Sequence, residues 1–123
     1  MDLNSLLEEM EGTVDTVLVE GARDVEALRR LGFHGRIEVC SRVGVSNSDL
    51  VEGLARRKDV VILTDFDGEG RRLNRRLSRL LERRGVRVET RLRRAVGRLM
   101  AALGVYAIEA LDNVEEKLGE SGL

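Results

Sequence analysis

Short apolar runs rich in valine and isoleucine alternate along this chain with segments whose apolar residues recur at helical spacing. The runs predict strands at residues 14–19, 37–40, 60–63 and 86–88, and residues 105–108 are a candidate for a last short strand. The spacing predicts helices over residues 2–11, 24–31 (capped by Asp24), 46–57, 69–84, 96–103 and 111–118.

The predicted strands are apolar on both faces. This pattern favours a parallel sheet covered by helices on both sides over a sheet with one solvent-exposed face. The expected fold is therefore α/β and Rossmann-like, with a central, mostly parallel four-stranded sheet flanked by helices. With 123 residues, no proline and no low-complexity linker, the chain fits one domain spanning residues 1–123.

The apolar segments and the cysteine content of the sequence indicate the cellular compartment. The sequence has no apolar run long enough to cross a bilayer and no secretory start at its N-terminus. The single cysteine, Cys40, cannot form an internal disulfide, and we expect it to be buried. These features predict a cytoplasmic protein without a membrane partner.

Charge is distributed unevenly along the chain. Residues 1–20 carry six acids and no base, whereas residues 71–98 carry twelve arginines and two glutamates. Arginine presents a planar, permanently charged fork that suits phosphate, so the cluster favours a nucleic-acid partner. The alternative is a solvated helix face paired with the acidic N-terminus, or an arginine bias that comes from the genome or from a hot habitat.

Carboxylates follow two of the predicted strands. Glu20 ends the first strand, and Asp65 and Asp67 follow the third with a spacing that puts both side chains on one side of an extended segment. If these strands are neighbours, three carboxylates converge at the edge where α/β proteins bind ligands. Their mutual repulsion is relieved by a divalent cation, so we expect Mg²⁺, or Mn²⁺, on these residues with Glu69 nearby. Simple helix capping is the alternative for the two aspartates.

The residues around these carboxylates are candidates for binding phosphate. Gly68 and Gly70 would let a phosphate approach the start of the following helix, where free N–H groups and the helix dipole favour an anion. The other candidates are Gly21, Arg42, Arg71, Arg72 and Arg75.

Two motifs resemble those of the Toprim family, which includes topoisomerases, bacterial primases, overcoming-lysogenization-defect nucleases, recombination-repair proteins and the 5S ribosomal RNA maturation nuclease. Val19-Glu20-Gly21 with Asp24 and Ala27-Leu28 is similar to the first motif, and residues 64–70 are similar to the second. The resemblance implies a Toprim core at residues 14–90, with a C-terminal helical extension at 91–123. It also implies that Glu20 is a general acid or base and that Asp65 and Asp67 bind metal.

Other motifs fit less well. Asp65-Phe66-Asp67-Gly68 also resembles the first motif of haloacid-dehalogenase-type phosphatases. In that family a threonine usually follows the motif, where this chain has Glu69. The family also needs a lysine later in the sequence, and Lys117 is the one available. A calcium loop would need a glutamate where this chain has Arg76. Tyr106 lies outside the Toprim-like region, so we expect it to pack rather than to act as a nucleophile.

The combined expectation is a Mg²⁺-dependent nuclease acting on structured RNA or DNA, with RNA preferred by resemblance to the ribosomal RNA maturation enzyme. Aromatic residues make up 2% of the chain, which argues against base stacking as a main mode of binding. The alternatives are a non-catalytic, metal-dependent nucleic-acid-binding module and a subunit that supplies its site to a protein partner.

Overall fold

A computed structural model describes residues 2–40 and 46–112. The helices are α1 (Leu3–Thr13), α2 (Ala22–Arg30), α3 (Asn47–Leu54), α4 (Gly68–Arg83) and α5 (Thr90–Leu103), followed by a short 3₁₀ helix at Ile108–Ala110. The strands are β1 (Thr16–Val19), β2 (Ile37–Val39), β3 (Asp59–Leu63) and β4 (Arg87–Val88).

The four strands form one sheet with the order β2-β1-β3-β4, and every neighbouring pair is parallel. The predicted α/β architecture is confirmed. Because the chain moves from β1 outward to β2 and then returns to β3 before moving outward to β4, the topological switch point lies between β1 and β3. Ligand sites of α/β proteins form beyond the carboxyl ends of such a strand pair.

Alternation along the two central strands produces two apolar layers. Val17, Val19, Val61 and Leu63 belong to the cluster that also contains buried apolar side chains from α1, α2 and α5. The cluster that contains the buried residues of α3 and α4 includes Leu18, Val60 and Ile62. Burial on both faces explains why residues 17–19 and 60–63 are apolar without interruption.

The C-terminal segment is integrated into the first of these layers. Leu92, Val96 and Met100 of α5 are buried in it together with Ile108 and Leu111. The predicted single domain over residues 1–123 stays a prediction, and residues 113–118 of the predicted terminal helix lie outside the described part of the chain.

Two local predictions are wrong. Asp24 does not begin α2; Gly21 is its N-cap, and the Asp24 carboxylate accepts the Gly21 N–H at 3.0 Å from three residues further on. Residues 105–108 do not form a strand. Tyr106 accepts a hydrogen bond from the Phe66 N–H at 2.8 Å, and the Ile108 N–H donates to the Asp65 carboxylate, so this backbone is bonded to the loop after β3.

Within residues 2–40 and 46–112, no helix is long and apolar enough to cross a membrane.

Cys40 provides a test of the packing beside β2. Its side chain is buried, and this burial raises the pKa of the thiol to about 12. We expect the native protein to react with a disulfide reagent about a hundredfold or more slowly than the chain unfolded in guanidinium chloride. Absorbance of the released thiolate reports the rate, and since the chain has one cysteine, equal native and unfolded rates would contradict the packing.

Candidate metal and phosphate site

The β1–β3 pairing brings the first two predicted site residues together. Val19 is opposite Leu63 in the sheet, so Glu20 and Asp65 both leave its carboxyl edge at the switch point. This confirms that the first and third strands are neighbours, which the convergence of Glu20 and Asp65 required.

Glu20 and Asp65 interact directly. Burial, the hydrogen bond to Asp65 and the negative charge of Asp65 raise the pKa of Glu20 to about 7, with a smaller contribution from the charge of Asp67. Two carboxyl groups this close cannot both ionise easily in the absence of a cation. Their environment therefore favours binding of a positive ion, which is the property that a carboxylate metal site needs.

A third element holds the Asp65 side chain. Its Oδ1 accepts a hydrogen bond from the Ile108 N–H at 3.1 Å, which ties the end of β3 to the 3₁₀ helix. Asp24 lies close enough to be affected by these charges. Its pKa is raised by burial and, to a smaller extent, by the negative charges of Asp65 and Glu109. The carboxylates at this edge thus lie in a partly buried, negatively charged environment.

Asp67 lies at the start of α4 and acts as a helix cap, unlike Asp65. Its Oδ1 accepts the Gly70 N–H at 2.7 Å, which makes it the N-cap of α4, and its side chain is exposed. Helix capping, the alternative considered for the aspartates, therefore occurs at Asp67. Glu69 is exposed in the first turn of the same helix. Among the described residues, no group of three or more His, Cys, Asp or Glu side chains is arranged to hold a metal.

Gly70 is required by the loop itself. A Cβ at this position would lie 2.0 Å from the Asp65 carbonyl oxygen, and the Thr64 hydroxyl donates to the Gly70 carbonyl at 2.6 Å. Gly68 has more room, since its nearest neighbour would be the Arg72 guanidinium at 3.4 Å, and a Cβ on Gly21 would meet nothing within 4 Å. The close approach that sequence suggested for a phosphate is thus made at Gly70 by the protein's own backbone.

Three of the four predicted phosphate-binding arginines lie on the exposed surface of α4. Arg71, Arg72 and Arg75 are exposed on α4, and the Arg71 Nε donates to the Phe66 carbonyl at 3.0 Å. Arg42 lies outside the described residues.

Arg93 is a site residue that sequence reasoning missed. Its guanidinium is buried and donates to the carbonyls of Ile62 and Thr64 at 3.0 and 2.9 Å, with a longer contact to the Asp65 carbonyl at 3.4 Å. It also lies over the Phe66 ring, 4.3 Å from the centroid, and burial lowers its pKa to about 10. The available signal was its spacing, because Arg93 shares the buried face of α5 with Val96 and Met100.

The comparisons with known proteins agree with this geometry. A family model described as the Toprim domain matches residues 15–91. The chain belongs to the Toprim family. It is 35% identical to a UPF0292 protein of Pyrococcus abyssi over 88% of this chain and 77% of that protein. It is 32% identical to a UPF0292 protein of Methanocaldococcus jannaschii over 89% of this chain and 86% of that protein.

A solved structure has the same fold. A protein from Aquifex aeolicus superposes with a TM-score of 0.72 at 25% identity, covering 88% of this chain and 96% of its own. Toprim domains generally bind Mg²⁺, and membership indicates a metal-dependent function related to nucleic acid.

Replacing Arg93 tests whether it holds the end of β3. We expect Arg93→Met to lower the free energy of unfolding by about 2–4 kcal/mol, because it leaves buried carbonyls without their donor. Urea denaturation measures the change. The neighbouring Arg94→Met serves as control, since that side chain is exposed and should change stability by less than about 0.5 kcal/mol. Equal effects of the two substitutions would contradict the assigned role.

Alanine substitutions at the two loop glycines form a matched pair. Gly70→Ala places a methyl group against the Asp65 backbone, so we expect a loss of about 2 kcal/mol or more. Gly68→Ala meets only the mobile end of Arg72 and should stay within about 1 kcal/mol of the native protein. Thermal unfolding compares them, and a Gly70→Ala protein as stable as Gly68→Ala would show that the loop can relax.

Proposed function

We propose that this Toprim protein is a Mg²⁺-dependent nuclease that acts on structured RNA or DNA, with RNA as the first choice of substrate. The observation that carries the proposal is the pair of carboxylates, Glu20 and Asp65, at the switch point between the two central parallel strands. Ligands of α/β folds bind at this edge, and the Toprim family relates it to nucleic-acid phosphates.

The chemistry of these carboxylates suits a magnesium ion, which would bring together side chains that the described structure does not arrange as a group of three ligands. Asp65 and Asp67 each use one carboxylate oxygen to accept a backbone N–H, which orients the side chain. The cation would take the place of the hydrogen bond between Glu20 and Asp65. Mg²⁺ needs one or two protein carboxylates and takes water and phosphate oxygens as its remaining ligands. In this proposal Asp65 and Asp67 would hold the ion with Glu20, and Glu69 would act through water. Mn²⁺ is the alternative ion.

Glu20 is the proposed catalytic residue. A bound Mg²⁺ would neutralise phosphate charge and favour in-line attack. The Glu20 carboxyl would hold or accept a proton at the attacking or leaving oxygen, a task that requires a carboxyl group beside the phosphate. The N-terminal turn of α4 at Gly68 lies at the same edge and would position the phosphate, whereas the Gly21 and Gly70 N–H groups already donate to Asp24 and Asp67.

A non-catalytic, metal-dependent nucleic-acid-binding module is the second candidate. It is favoured by the arginines of residues 71–98, of which three, Arg84, Arg87 and Arg91, form ion pairs with acids of residues 2–40 and 46–112. Within these ranges only Arg91 pairs with the acidic N-terminal segment, through Glu9. Among the described residues, most of these arginines therefore have no acidic partner that would compete with phosphates, whether the protein acts alone or with a protein partner.

Cleavage of end-labelled RNA hairpins and DNA duplexes tests the enzyme proposal. We expect cleavage with Mg²⁺ or Mn²⁺, none with EDTA, and a rate reduced by about 10²–10⁴ in Glu20→Gln. Asp65→Asn should lose cleavage and also weaken Mn²⁺ binding measured by electron paramagnetic resonance. The control is Glu82→Gln, an exposed carboxylate near the opposite end of α4.

Two outcomes would contradict the nuclease. Cleavage that survives Glu20→Gln at the native rate would exclude Glu20 as catalyst. Salt-sensitive binding without metal-dependent cleavage would leave the binding module as the function.

A further inference from the structure

A groove of about 390 Å³ lies between α4 and α5, beside the loop that follows β3. This α4–α5 groove is lined by side chains of both helices together with Phe66, Val105 and Tyr106. It is separate from the Glu20–Asp65 pair, because neither of these carboxylates lines it.

The charge of the groove is entirely positive. Its lining contains five arginines and no acidic residue: Arg71, Arg75, Arg93, Arg94 and Arg98. Arg93 is occupied by the β3 carbonyls. None of the other four forms an ion pair with any residue of the described ranges, whereas Arg84, Arg87 and Arg91 of the same arginine-rich segment do. Four guanidiniums around one concavity, without an acidic partner in the described part of the chain, repel each other and favour an anion.

Two of these arginines are fixed in place. The Arg71 Nε donates to the Phe66 carbonyl at 3.0 Å, and the Arg94 Nη2 donates to the Thr90 hydroxyl at 3.0 Å. The remaining N–H groups of each guanidinium are left for a ligand. Holding a side chain in this way reduces the rotamer entropy that binding would otherwise have to overcome.

The groove also concentrates the aromatic residues of the chain. The sequence has three, of which Phe33 is buried in the core and the other two, Phe66 and Tyr106, line this groove. Phe66 is immobilised by Arg93 on one face and by α5, where a Cβ on Gly97 would approach its ring to 2.8 Å. Gly97 makes room for this ring, because a side chain at this position of α5 would collide with it.

Tyr106 behaves differently. It was expected to pack, but its side chain is 65% exposed, the only large apolar side chain so exposed in the described part of the chain. Its backbone is nonetheless fixed, because its carbonyl accepts the Phe66 N–H at 2.8 Å. Ala101 and Val105 supply an apolar wall beside it. An exposed ring on a fixed backbone, next to apolar surface and free arginines, matches a ligand with one flat apolar part and one anionic part.

We propose that the α4–α5 groove binds a nucleotide as a single unpaired unit, with its base against Tyr106 and its phosphates on the free arginines. This goes beyond phosphate recognition at the carboxylate edge. It rests on the nucleic-acid-binding part of the proposed function, but it needs neither metal nor cleavage. The same chemistry is offered by a free nucleotide and by an unpaired nucleotide within a strand, and competition distinguishes the two.

Fluorescence anisotropy in EDTA tests the groove without cleavage. The probes are an RNA hairpin with a short single-stranded tail and the same hairpin with a blunt end. We expect the tailed probe to bind about tenfold more tightly, since stacking of a base on an aromatic side chain supplies that much affinity. Tyr106→Ala should abolish this preference, and Tyr106→Phe should retain it.

A pair of double variants with equal charge loss tests the arginines. Arg75→Ala/Arg98→Ala removes two groove side chains and should weaken tailed-probe binding about tenfold or more. Arg79→Ala/Arg83→Ala removes two exposed arginines of α4 that do not line the groove and should weaken it less than about threefold. Circular dichroism establishes that all variants fold.

The outcomes are distinct. Competition by adenosine monophosphate at micromolar concentration would identify a free nucleotide as ligand, and competition only by a tailed strand would identify a nucleic-acid end. Equal binding of tailed and blunt probes, or equal effects of the two arginine pairs, would overturn the proposal. Displacement by polyglutamate as effective as by the strand would also overturn it. Because metal is absent, a failure here leaves the nuclease proposal untouched.

Discussion

A buried arginine guanidinium binds the carbonyl groups at the carboxyl end of β3. Parallel strands leave carbonyl groups without partners where they end, and in a covered sheet these groups are out of reach of water. Arg93 reaches from α5 to satisfy the carbonyls of Ile62 and Thr64 and contacts that of Asp65. The loop that carries both aspartates is therefore fixed by a guanidinium instead of by solvent, and the positions of Asp65 and Phe66 depend on it.

The loop after β3, which Arg93 holds, lies between two different chemical environments at the edge of the sheet. On the β1 side, Glu20 and Asp65 form a negative pair that attracts a cation. On the α5 side, the α4–α5 groove is positive and contains the aromatic rings. Segment 64–67 contributes to both, since Asp65 belongs to the first and Phe66 to the second. One short loop thus separates sites of opposite charge.

The sequence was sufficient for those features that depend on pattern. Apolar strands and their parallel arrangement follow from burial on two faces. The meeting of Glu20 with Asp65 was predicted only on the condition that the first and third strands are neighbours, which the resemblance to the Toprim motifs implied. Features that depend on particular tertiary contacts were not accessible. Gly70 contacts the Asp65 carbonyl, and residues 105–108 bond to a loop; both outcomes depend on a neighbour that is distant in sequence or on exact loop geometry. The capping of α4 by Asp67 is a local contact, and capping was already the alternative for the two aspartates. Arg93 looked like one more surface arginine because composition does not reveal which guanidinium is buried.

The lengths of the outer strands have a consequence for how the molecule behaves in a crowded solution. β2 has three residues and β4 has two, and they form the two edges of the sheet. β2 carries Glu38 in its middle, and β4 begins with Arg87, whose side chain is paired with Asp59 and Glu89. A strand of another molecule would find few backbone groups to pair with and charged side chains beside them. The apolar central strands, which would aggregate readily if exposed, are thus shielded at both margins by strands too short and too charged to extend the sheet.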